Sequence, residues 1–223
     1  MKPLTIILVA HNRLELTKRT IDSLFRTVPQ AKIVVFDNAS TEAGMVDYLL
    51  NDFRKREPMQ TAVVEHPRNE GWACAVNKSL GALKGIYTLR KDGELHIINP
   101  SWLNDTDYIL VSNNDVEYQD GWYEKLVALY EKYPQVGVMG VWKHKAHGVS
   151  KNHGDLLEKD DMPAVGWLMK KVILDEIGPI PERGPCSTKG GNGEDSNYVN
   201  MVRAKGYWIA APTEDVAIHL QND

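Results

Sequence analysis

The chain has 223 residues, 43% of them hydrophobic, with 26 basic and 30 acidic side chains and a net charge of −4. That length suits one well-buried α/β domain, and the charge gives no general reason to bind nucleic acid or an anionic membrane surface. Two cysteines, Cys74 and Cys186, make a disulfide framework unnecessary and fit a reducing, cytoplasmic setting. No run approaches the ~20 apolar residues of a spanning helix, so no transmembrane segment is expected; peripheral docking at a membrane stays open.

Leu4 to Ala10 is a continuous apolar run, the pattern of a strand buried on both faces. Leu14, Thr17, Ile21, Leu24 and Phe25 then share a helical stripe. Ile33 to Phe36 reads as a second buried strand, ending in the polar turn Asp37 to Thr41. A helix over roughly Ala43 to Phe53 and a strand over Thr61 to Glu65 follow. Pro67 to Gly71 is a turn, and Trp72 to Leu83 has helical periodicity. This strand–helix alternation predicts a mostly parallel sheet. Right-handed crossovers place the loops after Ala10, Phe36 and Val111 on one edge.

Asp92-Gly93 between short β-prone pieces predicts a hairpin. Tyr108 to Ser112 restores the core, Trp122 to Tyr133 is an amphipathic helix, and Val136 to Trp142 is β-prone. After Lys143 the pattern weakens. A strand over Ala164 to Met169, a short helix over Val172 to Ile177 and a mobile loop over Pro179 to Gly193 are expected. A helix over Glu194 to Lys205 and strands over Tyr207 to Ala211 and Val216 to Leu220 complete the chain.

The stretch Asn113-Asn114-Asp115 ends the apolar run Tyr108 to Val111. A carboxylate at the carboxyl end of a parallel strand faces the crevice where open α/β sheets bind ligands. Oxygen donors there suit a hard divalent cation, which shares its ligands with phosphates. Glu194-Asp195 in a glycine-rich setting and His219 near the end are further candidates. Each has a plainer reading: Asp115 as a turn or cap carboxylate, His219 as a structural histidine, and Glu194 and Asp195 as first-turn carboxylates favoured by the helix dipole. His144, His147 and His153 lie near Asp155, but with no cysteine and no zinc-type spacing they read as ordinary loop histidines.

In order along the chain, Ile6 to Arg13, Val34 to Ser40, Asn69 to Asn77, Val111 to Glu117, Gly193 to Asn197 and Ala217 to His219 resemble the motifs of family 2 glycosyltransferases of the GT-A fold, in particular a rhamnosyltransferase-like branch. The resemblance implies one GT-A-like α/β domain, with a mostly parallel central sheet flanked by helices and a Rossmann-like nucleotide-binding half. Residues 1–115 would bind the nucleotide sugar, and residues 116–223 the acceptor and the catalytic groups. Asn113 stands where the family has a first acidic residue, Asn197 where it has a second Asp, and the segment 85–107 is longer than the usual link.

The implied activity is inverting, metal-dependent transfer of a sugar from a nucleoside diphosphate sugar to an acceptor hydroxyl. The acceptor could be a glycan, a lipid-linked molecule or another hydroxyl compound. The resemblance assigns Asp115 and His219 to a Mn2+ or Mg2+ ion, and Asp195, with Glu194 beside it, to catalysis. Asp195 is the favoured general base, and Glu194 is expected to anchor the loop or touch the acceptor. Ala10, His11, Asn12, Arg13, Asp37, Asn69, Gly71, Trp72, Asn113 and Asn114 would line the donor pocket. Gly166 and Trp167 would border the acceptor, with Trp167 stacking on a sugar face. Core roles for Trp72 and Trp167, a capping role for Asp37 and a solvated role for Arg13 are equally open. Rival readings are a sugar nucleotidyltransferase, although His11-Asn12-Arg13-Leu14 lacks the glycines of that class, and a degenerate nucleotide- or carbohydrate-binding module.

Overall fold

A computed structural model describes residues 2–57, 59–84, 89–91, 94–96, 100–143, 148–182 and 193–220. β1 (Leu4–Ala10) is buried along its whole length. Its side chains alternate between two cores, as a period of two requires: Leu4, Ile6, Leu8 and Ala10 enter one, and Ile7 and Val9 the other. β2 (Lys32–Asn38) does the same, with Ile33 and Val35 on one side and Val34 and Phe36 on the other. A strand enclosed on both faces cannot show a polar alternation, which is why these segments read as unbroken apolar runs.

Helices cover both faces. α1 (Leu14–Thr27) sends Ile21 and Leu24 into the first core. Next comes α2 (Met45–Asp47), continued by a π-helical segment (Tyr48–Phe53) and α3 (Arg54–Arg56). This helical stretch starts two residues later than expected and runs beyond Phe53. After β3 (Thr61–His66), α4 (Trp72–Leu83) packs Ala73, Val76, Leu80 and Leu83 into the second core. β4 (Leu89–Lys91) and β5 (Glu94–His96) pair as the expected hairpin; its turn residues, Asp92 and Gly93, lie outside the described residues. A 3-10 turn (Pro100–Leu103) leads to β6 (Tyr108–Asn113).

β7 (Val116–Tyr118) precedes α5 (Trp122–Lys132), which buries Trp122, Tyr123, Leu126 and Tyr130. β8 (Val136–Gly140), β9 (Val149–Asn152), β10 (Leu156–Lys159) and β11 (Gly166–Lys170) follow. α6 (Lys171–Ile177), α7 (Glu194–Ala204), β12 (Trp208–Pro212) and β13 (Ala217–His219) end the fold. The hairpin β9–β10 lies where the sequence pattern weakens. All four β9 residues are exposed, so no in–out alternation marks it. The loop expected over Pro179 to Gly193 falls mostly outside the described residues.

The main sheet has nine strands in the order β3-β2-β1-β6-β11-β8-β12-β10-β9. β3, β2, β1 and β6 are parallel neighbours, whereas β11 runs antiparallel to both β6 and β8. The chain moves outward from β1 to β2 and β3, then returns to place β6 on the other side of β1. That reversal opens a crevice at the carboxyl ends of β1, β2 and β6, where ligands of open α/β sheets bind.

Cys74 is disulfide-bonded, against the reduced thiols expected from the cysteine count, so the count no longer argues for a reducing compartment. Among the described residues no helix is long and apolar enough to cross a membrane.

Candidate active site

The loop leaving β1 is strained and heavily tied. Asn12 and Arg13 have φ of 55° and 62°, a left-handed backbone that costs roughly 1–2 kcal/mol per non-glycine residue. The Asn12 N–H donates to Ser40 Oγ at 2.8 Å, and its side-chain oxygen accepts from the N–H groups of Thr41 (2.7 Å) and Glu42 (2.9 Å). Glu42 returns a carboxylate to the N–H of Leu14, in the first turn of α1, at 3.0 Å. The Asn114 amide, buried, donates to Asn12 O at 2.8 Å and Thr17 Oγ1 at 2.7 Å. Asn12 and Asn114, expected at the donor, use these bonds to fix the backbone of Ala10 to Arg13. His11 Nδ1 lies 3.0 Å from Asn38 O, tying the same loop to the end of β2.

Asp37 pairs in register with Ala10 across β1 and β2. Its Oδ1 accepts from the Ser40 N–H at 3.3 Å, so it caps its own turn, and the residue is buried. Burial pushes its pKa above the ordinary value, and the Ser40 hydrogen bonds oppose that only in part. A carboxyl whose folded pKa is raised costs stability once ionised: the penalty is absent below the unfolded value and sets in as pH rises through the folded one. Asp37→Asn is therefore expected to gain stability relative to the parent at pH 7 compared with pH 4, as read by thermal midpoints at the two pH values.

Next to it, Asn38 organises the start of α4. Its Nδ2 donates to Asn69 Oδ1 (3.0 Å) and Gly71 O (3.3 Å), and its Oδ1 accepts from the Glu70 N–H at 3.0 Å. Asn69 Oδ1 also accepts from the Gly71 N–H at 3.0 Å. Asn69 thus shapes the turn rather than facing open space. Gly71 has φ of 85°, a value L side chains rarely adopt, and it releases the chain into Trp72. Asn38 was not singled out from sequence; its only signal was its place directly after Asp37 at a strand end.

The end of β6 carries the acidic centre. β13 pairs antiparallel with β7, opposing His219 to Val116, which brings His219 beside Asp115. His219 Nε2 lies 3.5 Å from Asp115 Oδ2, and Arg13 Nη1 donates to the same oxygen at 2.5 Å. Asp115 Oδ1 and His219 Nδ1 are buried without a hydrogen-bond partner. Orphaned buried polar atoms call for an explanation. Asp115 and His219 approach through Oδ2 and Nε2, donor types that a divalent cation sharing phosphate oxygens could take, and Oδ2 is at present held by Arg13. Among the described residues no group of three or more His, Cys, Asp or Glu side chains could hold a metal by itself. Trp142, after β8, packs its ring 5.2 Å from that of His219, a neighbour not singled out from sequence as a site residue.

Asn113 joins this centre to the candidate base. A cleft of about 300 Å³ is lined by Trp72, Asn113, Pro163, Ala164, Val165, Glu194 and Asp195. Asp115 lies two residues beyond Asn113, just past the end of β6. Asp195 Oδ1 accepts from the Ser196 N–H at 2.9 Å, and Ser196 Oγ donates to Asp161 Oδ2 at 2.9 Å. Glu194 is buried and its Oε2 accepts from the Ala73 N–H at 3.2 Å, in the first turn of α4. Both Glu194 and Asp195 line the cleft, and Glu194 also ties α7 to α4. Trp72 Nε1 is buried there without a partner. A larger cavity, about 670 Å³, lies between α4 and α6, but none of the candidate site residues lines it.

Trp167 and Gly166, expected at the acceptor, are packed in the core. Trp167 is 0% exposed, its indole N–H donates to Pro163 O at 3.0 Å, and its ring is held between Trp72 and Tyr198. No face is left for a sugar. Gly166 is a packing glycine: a Cβ there would stand 2.7 Å from Val141 Cγ2 and 3.1 Å from the Tyr118 hydroxyl. Of the histidine cluster, His153 is described; it stacks on Trp208 and lies 3.2 Å from Glu158 Oε2. His144 and His147 lie outside the described residues.

Residues 5–93 match the model of Glycosyl transferase family 2. No curated protein matches the chain. Among solved structures, the chain is similar to the mannosyltransferase PcManGT from Pyrobaculum calidifontis in complex with GDP-Man and Mn2+, with a TM-score of 0.63 and 17% identity over 97% of this chain and 58% of that one. It is similar to S. aureus TarS residues 1–349 with a TM-score of 0.63 and 14% identity, over 99% of this chain and 60% of that one. The chain therefore spans less than two thirds of either protein. At these identities the likeness is one of fold, and the fold is the GT-A α/β fold implied by the sequence resemblance. Together with the family match it supports a glycosyltransferase.

Proposed function

We propose that the chain transfers a sugar from a nucleoside diphosphate sugar to an acceptor hydroxyl, with inversion at the anomeric carbon and with the help of Mn2+ or Mg2+. The observation that supports this reading is the pairing of Asp115 with His219 just past β6, two residues from the Asn113 that lines a cleft with Asp195. The nucleotide lies over the carboxyl ends of β1 and β2, where Asp37 accepts hydrogen bonds from base or ribose. The backbone of Ala10 and His11 lines the same pocket. Asp115 and His219 hold the cation, which when bound stabilises the negative charge of the departing diphosphate. Asp195 accepts the proton of the acceptor hydroxyl as its oxygen attacks, which requires hydrogen-bond reach in the complex. Glu194 keeps α7 in place rather than touching the reacting atoms.

Residues 1–115 serve the donor and residues 116–223 the acceptor and the base. The match over residues 5–93 falls within the donor part. The Mn2+ and GDP-Man of the Pyrobaculum calidifontis structure support a cation and a nucleotide sugar here. A rhamnosyl-type donor rests on the sequence resemblance. The test is a thermal-shift screen of UDP, GDP and dTDP and their sugars, with and without Mn2+. A ligand at 100 times its Kd adds about 2.7 kcal/mol to stability, so at least one nucleotide is expected to raise the midpoint by several degrees, more with Mn2+ present. No shift with any of them would remove the donor site.

A further inference from the structure

We propose that Arg13 is an internal counter-cation that Asp115 must exchange before a metal ion can bind, and that the donor diphosphate triggers the exchange. This rests on the reading of Asp115 as a cation ligand. Arg13 starts α1 from a left-handed backbone, held there by the Asn12 bonds, and reaches across to Asp115 Oδ2 at 2.5 Å. The carboxylate is 8% exposed and the arginine side chain 45%. Asp115 is therefore fixed and enclosed, while the guanidinium has solvent on its open side and a long stem on which to swing.

The two residues before Asp115 are neutral asparagines, so Asp115 supplies the only carboxylate of Asn113-Asn114-Asp115. A guanidinium and a divalent cation on the same carboxylate oxygen repel each other strongly at such distances. The metal can take Asp115 Oδ2 only if Arg13 leaves. Charge-assisted forks bind carboxylate and phosphate with the same geometry. A diphosphate laid over the loop after β1 therefore offers Arg13 an alternative anion close by. Once Arg13 turns to the phosphates, Asp115 Oδ2 joins the already unpartnered Oδ1 as a free ligand. Diphosphate and cation then bind together, and neither binds well alone.

The test measures Mn2+ binding from the loss of the free-ion electron paramagnetic resonance signal, without nucleotide and with UDP, GDP or dTDP. Nucleotide binding without metal is followed by calorimetry. Arg13→Gln is expected to bind Mn2+ alone roughly 10-fold or more tighter than the parent, and nucleoside diphosphate alone roughly 10-fold weaker, the scale of one charge-assisted hydrogen bond. Arg13→Lys keeps the charge without the fork and should fall between; it also carries the test if Arg13→Gln does not fold. Unchanged Mn2+ affinity in both variants, with Asp115→Asn abolishing Mn2+ binding in the presence of nucleotide, would overturn the exchange and leave the metal site standing. Mn2+ binding unaffected by Asp115→Asn would overturn the metal site itself.

Discussion

Asp195→Asn is expected to lower sugar transfer by roughly 10²- to 10⁴-fold, the usual contribution of a positioned general base, while thermal midpoint and nucleotide affinity stay close to the parent. The substitution keeps the size of the side chain and an oxygen to accept from the Ser196 N–H, so α7 retains its first turn. What is lost is the ability to take a proton. Glu194→Gln is the internal control. Glu194 is buried against the first turn of α4, and an amide oxygen can still accept from the Ala73 N–H. Its effect on transfer should be much smaller than that of Asp195→Asn. Equal losses in the two variants would shift the base from Asp195 to the pair, and full activity in Asp195→Asn would remove it.

Much of the fold was legible because most elements carry a complete local signal. The apolar runs at Leu4 to Ala10 and Ile33 to Phe36 can only be strands enclosed on both faces, and the stripe from Trp72 to Leu83 matches α4 in both bounds. Carboxylates at strand ends were legible from the apolar runs before them, as with Asp37 near the end of β2 and Asp115 just past β6. Polar residues in loops were harder. Asn12, Asn69 and Asn114 look like ligands in sequence, but an amide next to a strained turn is as useful for holding backbone as for touching a substrate. Only the geometry shows that their groups are engaged with Thr41, Gly71 and Thr17. Asn38 and Trp142 were not singled out as site residues for the converse reason, since one is a strand-end amide and the other an aromatic at the end of a β-prone run. The β9–β10 hairpin was invisible because exposed edge residues have no face to prefer.

Trp167→Ala is expected to cost about 3–5 kcal/mol of folding stability, the range for removing a large aromatic from a packed core. For a chain of this size that lowers the thermal midpoint by roughly 10 °C. The ring is fully enclosed, with Trp72 meeting it edge-on at 5.6 Å between centroids and Tyr198 stacking at 6.0 Å. Truncation leaves a cavity and also strands the Pro163 carbonyl, which now accepts from the indole N–H at 3.0 Å. An acceptor platform predicts the opposite pattern, a large rise in acceptor KM with stability nearly unchanged. Trp167→Phe separates the two further: it keeps most of the apolar volume and lacks the N–H, so it should recover most of the stability lost in Trp167→Ala. The cleft responds through Trp72, which packs on Trp167 and lines the space shared by Asn113 and Asp195. Any effect of Trp167→Phe on transfer should therefore follow the position of Trp72, and acceptor affinity should be more sensitive to Trp72→Ala than to Trp167→Phe. The reverse ranking, with both variants folded, would return Trp167 to the acceptor site.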